Sequence, residues 1–279
     1  MPEIVEVYTD ATQLDFYLSN RDLLSVKFCN DLFKNKCKGI EELDKALPLK
    51  IECVMSKAKK IFIKIQNWWL ILTYGMTGKT STEKRKHSHI EFTMSKSWVG
   101  FDTWYYENVR RFGIVEAGNT EEFFNSHIND MASQFVLGYD YEGFEVIGFN
   151  EFVNSIKNCN TFLAKALMDQ RSIGSGIGNY LLSEIFYEAK LDPDIRCKQL
   201  TDDQVKKLWK SIHKIVNMSF EYGGVSMKDY EHIDGTGGEF EFRLKVYGKE
   251  NQVTDKGEKI LVKKGKHGRN IWYTEQQIN

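Results

Sequence analysis

The stretch LKIECVMSKAKKIFIKIQNWWLILTY, residues 49–74, decides the fold class of the N-terminal half. Its runs 49–54, 60–65 and 68–74 are rich in β-branched and aromatic residues and are separated by turn-sized gaps. In the middle run Ile61, Ile63 and Ile65 alternate with Phe62 and Lys64, the two-residue period of a half-buried strand. Working outward, 23–28, 89–94 and 98–101 have the same character. The first half is therefore predicted to be an antiparallel β-domain, a sandwich or flattened barrel. Ahead of it, Thr9 or Asp10 is placed to cap a helix running through Gln13, Leu14, Phe16, Tyr17 and Leu18. From Glu151 the period becomes helical. Phe152, Val153 and Ile156 form one stripe, and Leu163, Leu167 and Met168 a second. Helices are expected at 179–189 and 201–222, the latter with Thr201 and Gln204 spaced as a capping box. The glycines at 138, 143 and 148 read as a linker, and 240–247 and 259–263 as strands joined by a turn. The expected class is α+β, with divisions at 1–137, a linker at 138–150, 151–234 and 235–279.

The chain has 279 residues, with 38 Lys and Arg against 39 Asp and Glu. A net charge of −1 excludes a uniformly basic nucleic-acid coat. No apolar run approaches the ~20 residues of a membrane helix, and the acidic opening MPEIVEVYTD lacks the pattern of a signal peptide. The five cysteines (Cys29, Cys37, Cys53, Cys159, Cys197) never form a C-x-x-C pair, so reduced thiols and an intracellular location are expected, without a disulfide frame or a zinc site. The charge is segregated. Residues 51–100 carry nine basic residues and three acids, 101–150 carry nine acids and two arginines, and 243–270 again carry nine basic residues. Such patches suit a phosphate backbone, and equally suit ordinary solvated strand edges.

Two apparent motifs fail on context. Gly174-Ser-Gly176-Ile-Gly178 follows a helix rather than a strand, and Gly78-Lys79-Thr80 has Thr73 where a phosphate loop needs its first glycine. His87 and His89 suit phosphate contact or a structural role better than a metal. The tripeptide Met1-Pro2-Glu3 carries more chemistry. Removal of Met1 would leave Pro2 with a secondary amine, and an α-amino group titrates near ~8, so a useful fraction is nucleophilic. Such an amine can form an iminium with an aldehyde-level carbon, with Glu3 beside it as acid or base.

Read together, the pieces are collinear. Pro2-Glu3-Ile4-Val5-Glu6-Val7 resembles the Pro-Glu-x-Pro-Glu-Val opening of the formamidopyrimidine-DNA glycosylase/endonuclease VIII family, with Val5 in place of a proline. Ser56-Lys57-Ala58-Lys59 resembles R-R-x-K, and Thr73-Tyr74-Gly75-Met76-Thr77-Gly78 resembles L-G-M-S-G. Lys86-His87-Ser88-His89 resembles K-H-D-H, and Glu107-Asn108-Val109-Arg110-Arg111-Phe112-Gly113 resembles D-P-R-R-F-G. Leu167 to Gln170, Gly176 to Tyr180 and Ser183-Glu184 resemble the helix–two-turn–helix core. Val246-Tyr247-Gly248 and Gly268-Arg269 resemble the ends of the C-terminal finger. Zinc-finger members would carry cysteines near Thr254, Lys256 or Gly257, Thr274 and Gln277, whereas no cysteine follows Cys197. The chain thus looks like a zincless-finger Nei-like member of giant-virus (mimivirus) type. Its finger would be packed by Val246, Ile260, Val262, Ile271 and Trp272.

The resemblance implies an N-terminal catalytic β-sandwich flanked by helices, a helix–two-turn–helix DNA-binding domain and a zincless β-hairpin finger. It implies a bifunctional DNA glycosylase and β,δ-lyase of base excision repair acting on oxidised bases, pyrimidines and hydantoins favoured, with formamidopyrimidine or 8-oxoguanine preference as the alternative. The target base is flipped out of the duplex. Pro2 attacks C1′, Glu3 protonates the ring oxygen and Glu6 supports it. Met76, Arg111 and Phe112 fill the gap, while Lys59, Asn179 and Arg269 hold phosphates, joined by His87 and His89. No cofactor or metal is expected, the partner is double-stranded DNA with oxidised bases or abasic sites, and a monomer at the nucleus or a viral replication site is implied. Glu184 is expected to brace the helical core. A non-catalytic DNA-binding module, or a general interaction protein, would leave Pro2 and Glu3 idle.

Overall fold

A computed structural model describes residues 2–135, 145–225, 232–233 and 235–278. The expected linker therefore lies partly outside the described residues. The described parts form two compact units, each taken here by itself.

The first unit opens on helix α1 (Ile4–Leu18), followed by β1 (Asp22–Phe28), β2 (Cys37–Lys38), α2 (Ile40–Ala46), β3 (Leu49–Lys57), β4 (Lys60–Ile65) and β5 (Trp68–Thr73). Strands β6 (Gly78–Ser81), β7 (Ser88–Met94), β8 (Thr103–Asn108) and β9 (Ile114–Gly118) and helix α3 (Glu121–Asn129) complete it. The strands form one sheet in the order β2-β9-β5-β4-β3-β1-β7-β8-β6. The β1–β3 junction is narrow, pairing only Asp22 with Lys50 and Leu23 with Leu49. Apolar residues from both sides of it, including Ile63 and Leu70 on one and Phe92 and Trp104 on the other, enter one core. The sandwich is thus a single sheet folded over a short seam. Its pairs are antiparallel except β2 with β9, which is parallel.

Helix α1 starts earlier than expected, at Ile4 rather than beyond Thr9. Ile4, Val5, Val7 and Ala11 are buried, and the Glu3 amide donates to Glu6 Oε2 at 2.7 Å, closing the first turn. Residues 98–101 are not a strand. There the Arg21 guanidinium donates to the carbonyls of Tyr17, Ser95 and Phe101, bending the chain into a loop before β8.

The second unit carries α4 (Phe149–Asn158), α5 (Leu163–Met168), α6 (Asn179–Ala189), α7 (Asp202–Glu221), β10 (Ile260–Lys264) and β11 (Asn270–Thr274). The capping box at α7 is present: Gln204 N–H donates to Thr201 Oγ1 at 3.2 Å, and Thr201 N–H to Gln204 Oε1 at 2.9 Å. Between α5 and α6 the amide of Gln170 organises two turns. It donates to the carbonyls of Met168 and Ile177 and accepts from Gly176 N–H at 2.7 Å. Gly176, at φ +111°, takes a backbone conformation that a side chain would strain.

Three expectations are corrected here. Phe240–Arg243 is a 3-10 turn, and the second finger strand is Asn270–Thr274, because the buried Phe240 and Val246 side chains pull 240–247 against the helices instead of into a ladder. In the finger, Val246, Ile260 and Ile271 are fully buried, whereas Val262 faces solvent and Tyr273 takes the inward position. The division at 234/235 is displaced too. The described residues of Gly223–Gly238 belong with the first unit, and 239–278 with the helices.

Candidate active site and nucleic-acid interface

Strand register gathers the first unit's candidates at one end of the sandwich. Lys60 is opposite Thr73, and Thr73 opposite Ile114. The β3–β4 turn carrying Lys59, the β5–β6 turn carrying Met76 and the 109–113 turn carrying Arg111 and Phe112 therefore share that end. Helix α1 packs on β3 running the other way, with Asn20 N–H on the Ile51 carbonyl and Val54 N–H on Asp15 Oδ1. Its first turn, with Pro2 and Glu3 before it, points to the end where Lys57 and Lys59 lie. His87 joins the group through its carbonyl, which accepts from Asn108 N–H at 3.1 Å.

Two of these turns are interlocked. A Cβ on Gly75 would come within 2.7 Å of the Phe112 carbonyl carbon, and one on Gly113 within 2.3 Å of the Thr73 oxygen. Asn108, wholly buried, is the hub: its amide donates to the Tyr74 carbonyl and the Tyr106 hydroxyl and accepts from Thr77 Oγ1. Arg111 at φ +55° and Phe112 are exposed, and Met76 is half-buried. An apolar side chain, a guanidinium and an aromatic ring thus stand on a rigid base, the residue types a duplex wedge would use.

The first turn of α1 is a buried carboxylate site. Pro2 is buried, Glu3 is 1 % exposed and Glu6 0 %. Glu6 accepts from the amides of Glu3 and Val225, at 2.7 and 2.8 Å. Lys57 is buried as well, its ammonium donating to the Ile128 carbonyl at 3.0 Å. Lys59 is half-buried in a two-residue turn whose first residue, Ala58, has φ +52°.

In the second unit, Asn179 opens α6 and ties it to the hairpin tip. Its Nδ2 donates to the Asn270 carbonyl at 3.0 Å, and its Oδ1 faces His267 Nε2 at 3.1 Å. Arg269 is exposed at that tip, where Gly265 N–H donates to its carbonyl at 2.8 Å and Gly268 has φ +85°. Glu184, 1 % exposed, accepts from the amides of Lys245, Val246 and Tyr247 at 2.8 to 2.9 Å. Burial raises its carboxyl above the ordinary range, against the pull of those three donors. It clamps the finger's lead-in to α6.

No thiolate stands where the resemblance would put zinc ligands, and the residues present do not fit a zinc ion. Thr254 Oγ1 accepts from the amides of Lys256 and Glu258, each at 3.3 Å. Gln277 accepts from Thr274 N–H and donates to the Leu191 carbonyl, both at 2.9 Å. Among the described residues no group of three or more His, Cys, Asp or Glu is placed to hold a metal.

Two family models match the chain: the formamidopyrimidine-DNA glycosylase N-terminal domain over residues 1–115 and the H2TH domain of the same enzymes over 138–231. The chain belongs to the formamidopyrimidine-DNA glycosylase family. It is a DNA-binding DNA glycosylase of base excision repair. A formamidopyrimidine-DNA glycosylase of Rickettsia bellii is 27 % identical over 284 residues, covering 98 % of this chain and 97 % of the relative. The MutM (Fpg) crystal structure from Thermus thermophilus superposes with a TM-score of 0.85 at 22 % identity, covering 99 % of this chain and 98 % of that one. A Lactococcus lactis Fpg complexed with abasic-site DNA superposes at 0.84, also at 22 % identity, with the same coverage.

For this glycosylase one assigned contact is corrected. His89 is 2 % exposed and lies stacked on Phe33, with Nδ1 facing Asn30 Oδ1 at 3.2 Å and Nε2 facing the Asn108 carbonyl at 3.0 Å. Burial lowers its pKa. It presents no surface to a phosphate; it holds the Asn108 hub beneath the interlocked turns, where the register shifts between Ser88 and Ile90. Sequence reasoning also missed Asn108, Lys57, Asp10 and His232. Asn108 and Lys57 sat inside quoted motifs, and a buried polar residue beside a turn was the available signal. For Asp10 and His232, far apart in the chain, there was none.

Proposed function

We propose that the protein is a bifunctional glycosylase and abasic-site lyase that uses Pro2, after removal of Met1, as its nucleophile. What carries the reading is the placement of Pro2 and Glu3 at the buried start of α1, backed by Glu6 and at the same end of the sandwich as Lys59 and the wedge. The Pro2 amine attacks C1′ of the flipped nucleotide, and its nitrogen forms the new bond as the bond to the base breaks; the base leaves with that electron pair and takes up the proton shed by the Pro2 nitrogen. Glu3 gives its proton to the ring oxygen, which opens the sugar and leaves an iminium. The iminium acidifies C2′; loss of that proton expels the 3′ phosphate, and a second elimination expels the 5′ phosphate. Lys59, Asn179, Arg269 and His87 are assigned to phosphates, and Met76, Arg111 and Phe112 to the gap. The protein acts as a monomer inside the cell, on double-stranded DNA.

Oxidised pyrimidines and hydantoins are the proposed substrates. Ring-opened purines are the second reading, favoured by the names of the relatives, which are formamidopyrimidine-DNA glycosylases. Borohydride should trap the protein covalently on lesion DNA, since an iminium is reducible; failure to trap overturns the nucleophile. Single-lesion duplexes then separate the two substrate readings by excision rate.

The finger is proposed to stand without metal, with the Thr254 turn and the Thr274–Gln277 hydrogen bonds in place of a zinc knot. Metal analysis should find no stoichiometric zinc, and chelator should change nicking by less than about twofold, where a zinc-dependent fold would come apart. Loss of nicking on chelation, restored by zinc, would refute this.

A further inference from the structure

Glu3, which caps α1, and Glu6 and Asp10 within it follow one another at intervals of three and four residues on one face, and all three are at most 1 % exposed. Buried carboxylates need partners. Glu6 and Asp10 find theirs in the return segment between α7 and the finger. Val225 N–H donates to Glu6, and His232 Nδ1 lies 2.9 Å from Asp10 Oδ1. His232 Nε2 faces the Gly223 carbonyl at 3.3 Å. The fit is close: a Cβ on Gly224 would come within 2.4 Å of Glu6 Oε1, and one on Gly238 within 2.2 Å of the Gly224 oxygen. Ile233, next to the histidine, enters the sandwich core.

We propose that the Asp10–His232 pair is a positioning element for base excision, fastening His232 and, through it, Gly223 to the helix that begins behind Pro2 and Glu3 for as long as the pair keeps its proton. The inference rests on the Pro2 and Glu3 reading above. Nδ1 faces a carboxylate and Nε2 a carbonyl, both of which accept. The doubly protonated imidazole donates to both at once, whereas the neutral ring donates to only one.

Burial works to lower the imidazole pKa. The hydrogen bond and charge of Asp10, the Gly223 carbonyl and the charge of Glu6 outweigh it, and the net direction is upward. A raised pKa in the fastened state means that the fastening is complete below the ordinary histidine pKa and is lost as pH rises through the higher one. The Tyr74 hydroxyl also faces Asp10; burial holds its pKa well above the ordinary value, so it is neutral throughout.

The test is single-turnover excision of a lesion base from about pH 6 to about pH 9.5. Wild type should show a descending alkaline limb. Asp10→Asn should move that limb toward acid by about one unit or more. His232→Gln should abolish it and leave a deficit of about tenfold at low pH. Imidazole resonances of wild-type protein provide a measurement that no variant can spoil: His232 should titrate where the rate falls. A histidine that titrates elsewhere, or limbs that stay in place in both variants, overturns the inference alone, provided that wild type traps under borohydride. Absence of trapping overturns the Pro2 reading itself.

Discussion

Protein that keeps Met1, or carries an N-terminal tag, is expected to lose both base excision and strand cleavage. In either form the Pro2 nitrogen is an amide whose lone pair is delocalised into the carbonyl, so it neither attacks C1′ nor forms an iminium. The loss should be at least about a thousandfold in each activity, because the covalent route is removed and not merely slowed. The fold should survive, since Glu3, Glu6 and the buried face of α1 are untouched. Mass spectrometry of active protein should show a chain beginning at Pro2, and thermal unfolding should be the same with and without the tag. A preparation with Met1 intact and full activity would remove Pro2 as nucleophile and send the search to Lys57 and Lys59.

Glu3→Gln should separate the two activities. On a lesion duplex the carboxyl supplies the proton that opens the sugar ring as the base departs, and loss of a general acid of this kind costs about 10²- to 10⁴-fold. At a pre-formed abasic site the base is already gone and the sugar opens on its own, so cleavage there should fall by less than about tenfold. The amide has the size of the acid, and the Glu3 backbone N–H that donates to Glu6 is unchanged, so the first turn of α1 stays in place. Equal loss of excision and cleavage would mean that Glu3 shapes the site and does not donate the proton.

The two outcomes bear on different links of the chain from sequence to function. The first depends only on which atom ends the chain. The second depends on a carboxylate buried at a helix start, and that burial is a tertiary fact. Pro2, Glu3 and Glu6 stand out in the sequence because adjacent residue types suggest a chemistry. The proposed wedge appears there as three scattered motifs, but the sequence carries no sign that Gly75 and Phe112 approach closely; the register of β4, β5 and β9 decides that.

Local pattern alone determined β4, whose alternating isoleucines span the very residues that pair, α6, and α7, whose start follows from the Thr201 cap. Such features are settled within a few residues, where side-chain spacing and hydrogen bonding to the nearest turn outweigh distant contacts. Packing decided the rest. Residues 240–247 have the composition of a strand, yet burial of Phe240 and Val246, with Glu184 taking three backbone amides that a ladder would use, made them a 3-10 turn followed by bends and a turn. His89 looked like a surface ligand until Phe33 and Asn108 enclosed it. Asp10 and His232 stand 222 residues apart, and Glu6 and Val225 219 apart, so no local pattern relates them. Only the folded chain brings a buried carboxylate to the partner that makes its burial tolerable, because the cost of leaving it unpaired arises only once water has been excluded.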